Sequence, residues 1–171
     1  VSNVTVNEGS NYAVFTVTGV TGQKAHLSLT DASGDGGTDA AGNLADLRAS
    51  GTLPTIQYLS GTTWTNYDPS NPPSLPAGGL QVRVLITAEQ DTPYDGPETF
   101  KLVAANDGGV ASTGGNGTIK DDGTGDKFTF DPTTGAPSSS SGPGAGFDDD
   151  RVMAVSNVTV NEGSNYAVFT V

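Results

Sequence analysis

Cysteine is absent from the 171 residues. That excludes a disulfide framework and any thiolate-held metal, so an internal staple must come from packing or from oxygen-ligated ions. Histidine occurs once, at His26, alternating along a strand pattern with Leu27 and Leu29. With one imidazole and no thiol, nucleophilic catalysis lacks its parts, and the chain reads as a non-enzyme. Paired-carboxylate hydrolysis is the one catalytic class so acidic a chain leaves open, but carboxylates set at strand-end turns fit ion binding better than a cleft. Basic residues are few: seven Lys plus Arg against nineteen Asp plus Glu, a formal charge of −12. Such a surface repels nucleic acid and anionic lipid and favours divalent cations. No run of about eighteen apolar residues exists to insert into a membrane. The start also lacks the basic-then-apolar pattern of an export signal, as expected of an internal piece of a longer chain.

What is present is repetition. The seventeen letters "VSNVTVNEGSNYAVFTV" occupy Val1–Val17 and recur, without a change, at Val155–Val171. An offset of 154 residues has the size of one ordinary domain. The expectation is one full unit of a tandem array: a sandwich over 1–123, a connector over 124–154, and the first strands of the next identical repeat over 155–171.

Twenty-four Gly and ten Pro, with apolar residues in short alternating runs, argue for an all-β chain with many turns. Val4 and Val6 lead into the Glu8-Gly9 turn, after which Ala13, Phe15 and Val17 share one face: a split first strand. Ala25, Leu27 and Leu29 form the next alternating set. Ile56 and Tyr58 mark another strand with "GTTWTNY" as its neighbour. After a turn at Pro76–Gly79, Leu80, Val82, Val84 and Ile86 face one way and Arg83 the other, and Phe100, Leu102 and Ala104 then share a face. Six to eight such strands within about 120 residues describe an immunoglobulin-like antiparallel β-sandwich. The Ser/Pro/Gly-rich stretch after Gly123 cannot bury a core of its own, yet Phe128, Phe130 and Phe147 read as anchors pinning it to a sandwich.

The carboxylates cluster at turns: Glu8 after the first strand, Asp39 in a Gly-rich loop, Glu89, Asp91, Asp95 and Glu98 in "AEQDTPYDGPETF", and Asp121-Asp122 at the last strand's end. In a sandwich, turns reached after an odd number of passes gather at one pole. Converging carboxylates repel one another unless a cation lies between them, and an all-oxygen set suits Ca2+. A solvated acidic surface is the alternative reading of any one of them. Asp31, Ser33, Asp35 and Gly36 match the opening of an EF-hand loop, but Gly42 stands where its bidentate Glu belongs. That leaves an isolated Ca2+ loop or a plain hairpin tip. Asp148, Asp149 and Asp150 immediately precede the second copy, whose Glu162 repeats Glu8, so a cation there would tie the connector to the following domain. Trp64, Tyr58, Tyr67 and Tyr94 read as packing residues, with a sugar-stacking platform as the competing use.

In their order, "VTVNEGSNYAVFTVTG", "GGTDA", "LPAGG", "DTPYDGPETFKL" and "GTIKDDG" make the stretch from Val1 to Gly123 resemble the Calx-β motif. It is similar too to the immunoglobulin-like extender repeats of giant bacterial RTX-type adhesins secreted by the type I pathway. The resemblance implies Ca2+ ligands at Glu8, Asp39, Asp91, Asp95, Glu98, Asp121 and Asp122, with Asp31, Asp35, Glu89, Asp148, Asp149, Asp150 and Glu162 as weaker candidates. It implies an extracellular rod at the bacterial surface whose partners are neighbouring identical repeats. Departures from the pattern are Asp95 where Glu is usual, Glu89-Gln90-Asp91 in place of an unbroken acidic run, and a longer connector. Two other functions are compatible with the residues: a filament assembled by donation of a terminal strand, and a glycan- or surface-binding module.

Overall fold

Where apolar residues alternate in the sequence, the backbone is extended. The structure, a computed structural model, describes residues 1–32, 53–87, 90, 94, 96–142, 144 and 146–171. Its strands are β1 (Val4–Asn7), β2 (Tyr12–Val17), β3 (His26–Asp31), β4 (Ile56–Ser60), β5 (Thr63–Asn66), β6 (Leu80–Leu85), β7 (Glu98–Ala105), β8 (Gly115–Lys120), β9 (Asp126–Phe130) and β10 (Pro137–Ser141). They form two sheets, ordered β10-β9-β1-β8-β7-β3 and β2-β6-β4-β5. The first strand is split between them: β1 lies in the larger sheet and β2 in the smaller.

The core lies between the sheets. Phe15, Val82, Val84 and Ile86 meet Val6, Phe100, Leu102 and Ile119, all 1% exposed or less. Period-2 alternation explains the choice: every second residue of β6, and of β7 as far as Leu102, is buried, because successive side chains leave a pleated strand on opposite faces. Phe15 and Phe100 touch edge to face across the layers at 5.8 Å between ring centroids. Gly117 on β8 makes room for them, since a Cβ there would lie 2.5 Å from the Phe100 ring and 3.0 Å from that of Phe15.

In two respects the architecture departs from the expectation. The larger sheet is mixed rather than antiparallel: β1 runs parallel to both β8 and β9. A chain that enters one sheet and crosses at once to the other reaches its neighbours in this sense, and no local pattern reports the direction of a partner strand. Secondly, the stretch read as a connector contributes the β9–β10 hairpin to the larger sheet. Phe130 explains its docking. Its ring lies edge-on to Tyr12 at 5.4 Å and to Trp64 at 5.2 Å. The Arg83 guanidinium sits 4.0, 4.4 and 4.6 Å from the centroids of Tyr12, Trp64 and Phe130. Trp64 Nε1 donates to the Gly135 carbonyl oxygen at 3.1 Å. Trp64 is thus held by the hairpin, while Tyr58 and Tyr67 pack against the core and Tyr94 stays exposed.

Val155–Val171 forms no strand. Its apolar side chains stand in solvent, Tyr166, Val168 and Val171 at 80%, 76% and 81% exposure, whereas their counterparts Val14 and Val17 are buried. Among the described residues no helix is long and apolar enough to cross a membrane.

Candidate metal centre at the acidic pole

Strand directions decide which turns meet. β1 and β8 both end at one pole, in register from Val4 opposite Gly117 to Asn7 opposite Lys120. β7, antiparallel to β8, begins there with Glu98 opposite Ile119, and β3 ends there with Asp31 opposite Phe100. One residue beyond the ladder, the Glu8 amide donates to the Lys120 carbonyl at 2.9 Å, setting Glu8 beside Asp121. The inward alternation that buries Val6 and Ile119 therefore continues into acidic residues: Glu8, Glu98 and Asp121 are only 4%, 9% and 3% exposed. Carboxylates are rarely buried to this degree unless paired or bound to a cation.

The connector returns to this same pole, and Asn7 holds it. This side chain is fully buried. Its Nδ2 donates to the carbonyl oxygens of Asp148 (2.9 Å), Thr124 (3.2 Å) and Lys120 (3.3 Å). Its Oδ1 accepts from the amides of Asp148 (2.7 Å) and Gly9 (2.9 Å). One amide thus joins the β1–β2 turn, the end of β8 and the connector. Gly125 permits the approach: its φ is +96°, and a Cβ there would meet the Val6–Asn7 backbone at 2.5 Å. The Gly123 amide donates to the Asp148 carbonyl at 2.8 Å, and Asp122 and Asp149 form an isolated antiparallel bridge.

Thus anchored, the Asp148–Asp150 run divides by parity. Asp148 and Asp150 turn inward, and each brings a carboxylate oxygen, with one from Asp121, to within 4.8 Å of the others. The Asp150 amide donates to Asp121 Oδ1 at 3.1 Å, and Asp150 Oδ2 is buried with no hydrogen-bond partner. Asp149 points outward and takes a two-pronged contact from Arg151, Nε and Nη2 both at 2.7 Å. That contact lowers the Asp149 pKa and raises that of Arg151. Asp122 also points out. It accepts from the Thr124 hydroxyl and, at 3.0 Å, from the Thr124 amide, and the hydroxyl's hydrogen bond is the main reason its pKa is lowered.

A cation with ligands at about 2.4 Å spans oxygens up to about 4.8 Å apart, so the trio of Asp121, Asp148 and Asp150 fits around one ion. The donors are all oxygen, which suits Ca2+, Mg2+ or Mn2+ over softer metals, and the partnerless Asp150 oxygen is a ready ligand. Of the expected ligands, Glu8, Glu98 and Asp121 share the pole as buried groups, with Asp31 exposed at its edge. Asp122 and Asp149 are turned away from the trio. Glu162 is exposed in the second copy, and Asp148 and Asp150 lie with Asp121 of the sandwich they follow. Asp35, Asp39, Glu89, Asp91 and Asp95 lie outside the described residues. Asn7 is not legible in the sequence, because alternation with Val6 assigns it an outward position and the returning connector is what covers it. The split of the aspartate run was available in principle, since residues i and i+2 of an extended chain share a side.

No family model, curated protein or solved structure matches this chain.

Proposed function

We propose that the chain is a Ca2+-stiffened extender repeat of an extracellular bacterial adhesin or surface fibre, projecting a distal binding region from the cell. Its work is mechanical, and its partners are identical neighbouring repeats. The observation that carries this reading is the meeting of Asp148 and Asp150 with Asp121: the residues that lead to the next copy are the ones a cation would clamp to the preceding sandwich. Asp121, Asp148 and Asp150 would hold the ion, which supplies positive charge between groups that otherwise repel. The exact seventeen-residue recurrence supports the array, and the Calx-β-like motifs support the extracellular setting. The test is thermal melting in Ca2+ against chelator at matched ionic strength. Chelation should lower the melting temperature and weaken protection of residues 146–150 from hydrogen exchange; coincident curves remove the ion from the account.

A strand-donated filament is favoured by a different observation. Val155–Val171 is exposed yet keeps the local hydrogen bonds of Val1–Val17: Ser156 to Thr170 O at 2.9 Å mirrors Ser2 to Thr16 O at 2.9 Å, and Gly163 to Asn161 Oδ1 at 2.8 Å mirrors Gly9 to Asn7 Oδ1 at 2.9 Å. The segment carries its own turn geometry without a sheet to join. Denaturing electrophoresis of native material separates the two readings: a covalent array runs as a long chain, a strand-donated polymer as single units.

A further inference from the structure

At the pole opposite the acidic one lies an open, mostly apolar recess of about 230 Å3, walled by Val1, Val17, Leu75 and Val110 with Lys24 and Asn106 among its polar lining. Apolar cavities of roughly 150 Å3 already accept a benzene-sized guest. Val20 and Val110 stand at this end 72% and 69% exposed. Val1 forms part of the wall, and its counterpart in the second copy is Val155. Shortly ahead of that counterpart come Val152 and Met153, the two most exposed large hydrophobics among the described residues at 92% and 82%. Two residues of chain reach at most about 7 Å, so whatever precedes Val1 in an array emerges beside the recess.

We infer that Val152 and Met153 of one copy seat in the recess beside Val1 of the following copy, closing the joint between sandwiches. The inference rests on the tandem-array reading. Two structural facts give it force. The connector is bound to its own sandwich as far as the Asp150 amide, and Arg151 is held to Asp149, which leaves only Val152–Ala154 as free link. A link that short places the following copy's Val1 end directly against the acidic pole. Apolar side chains on so short a link gain burial only from the surface it leads to, and the recess offers apolar wall that no side chain of the described residues fills.

Met153 is the only methionine of the unit, which provides the probe. In a chain of two complete copies followed by the seventeen-residue start of a third, the first Met153 has a whole sandwich after it and the second has only the short segment. Limited oxidation with hydrogen peroxide, read by peptide mass spectrometry, should convert the first to its sulfoxide several-fold more slowly than the second. Val110→Lys in the second copy should restore the faster rate, which mere crowding by a neighbouring domain would not predict. Equal rates at the two positions, or protection that survives Val110→Lys, overturn the inference. A native polypeptide one unit long overturns instead the array reading beneath it, whatever the oxidation rates.

Discussion

Asn7 is a side chain whose value lies in being an amide. It donates to three carbonyls and accepts from two backbone amides, which neither an apolar nor a charged residue of its size can do. Leaving buried polar groups without partners costs roughly 1–3 kcal/mol each, so Asn7→Ala is expected to lower unfolding free energy by about 3 kcal/mol. Asn7→Asp should do at least as much harm, because it turns a carboxylate toward carbonyl oxygens; urea denaturation measures both. The same substitutions at Asn161, exposed and bonded only within its own turn, should have little effect in this chain. Asp122, Asp131 and Asp149 have lowered pKa values from local hydrogen bonds. In each, the unfolded form binds the proton more readily. The stability they contribute is therefore present above the ordinary carboxylate range, near pH 4, and is lost as pH falls through their lowered folded values. Acid titration of the melting temperature should show that decline, and Asp149→Asn should make it shallower.

The β9–β10 hairpin shows how an element of weak composition is held by a few contacts. Pro137–Ser141 is a proline and four serines and is mostly exposed, so this strand persists through backbone pairing with β9 and through Phe130. Phe130→Ala removes the contacts to Tyr12, Trp64 and Arg83 together, with an expected loss of about 1–3 kcal/mol. The loss should be local: hydrogen exchange should accelerate across residues 126–141 while β6 and β7 keep their protection. If all strands lose protection equally, the hairpin is part of the global folding unit and not a strap laid over it. Composition marked this stretch as unable to bury a core, and it does not bury one. What composition cannot report is that Tyr12, Trp64 and Arg83, three residues from three strands, converge on the outer face of the smaller sheet to receive one ring.

At the scale of the whole molecule, like charges are arranged to make stability depend on conditions. Asp121, Asp148 and Asp150 repel one another without a cation and bind one together. Asp150→Asn should therefore change sign with the buffer: in chelator it should raise the melting temperature by relieving repulsion, and in Ca2+ lower it by removing a ligand. Calorimetry in the two buffers decides the matter, and a shift of the same sign in both would be incompatible with a shared ion. In the array proposed above, such a clamp and a free link of only Val152–Ala154 are expected to give a stiff joint, and the −12 charge to hold adjacent rods apart at low ionic strength.

Alternation alone assigned the inward faces of β2, β3, β6 and β7, because a pleat sends neighbouring side chains to opposite sides whatever surrounds it. It also determined, through the recurrence at Val155, that two stretches of this chain have identical local preferences, and the same turn hydrogen bonds form in both. The pairing of β1 with β8, and with it the assembly of Glu8, Glu98 and Asp121 at one pole, was decided by tertiary structure, since strand direction is a property of partners over one hundred residues apart. The same holds for Asn7 and for the choice of Asp148 and Asp150 over Asp122: burial there exists only because a distant segment returns. The recurrence makes the point physically, for Val14 and Val168 have the same side chain and the same neighbours in sequence, and only the one with a sandwich around it is buried.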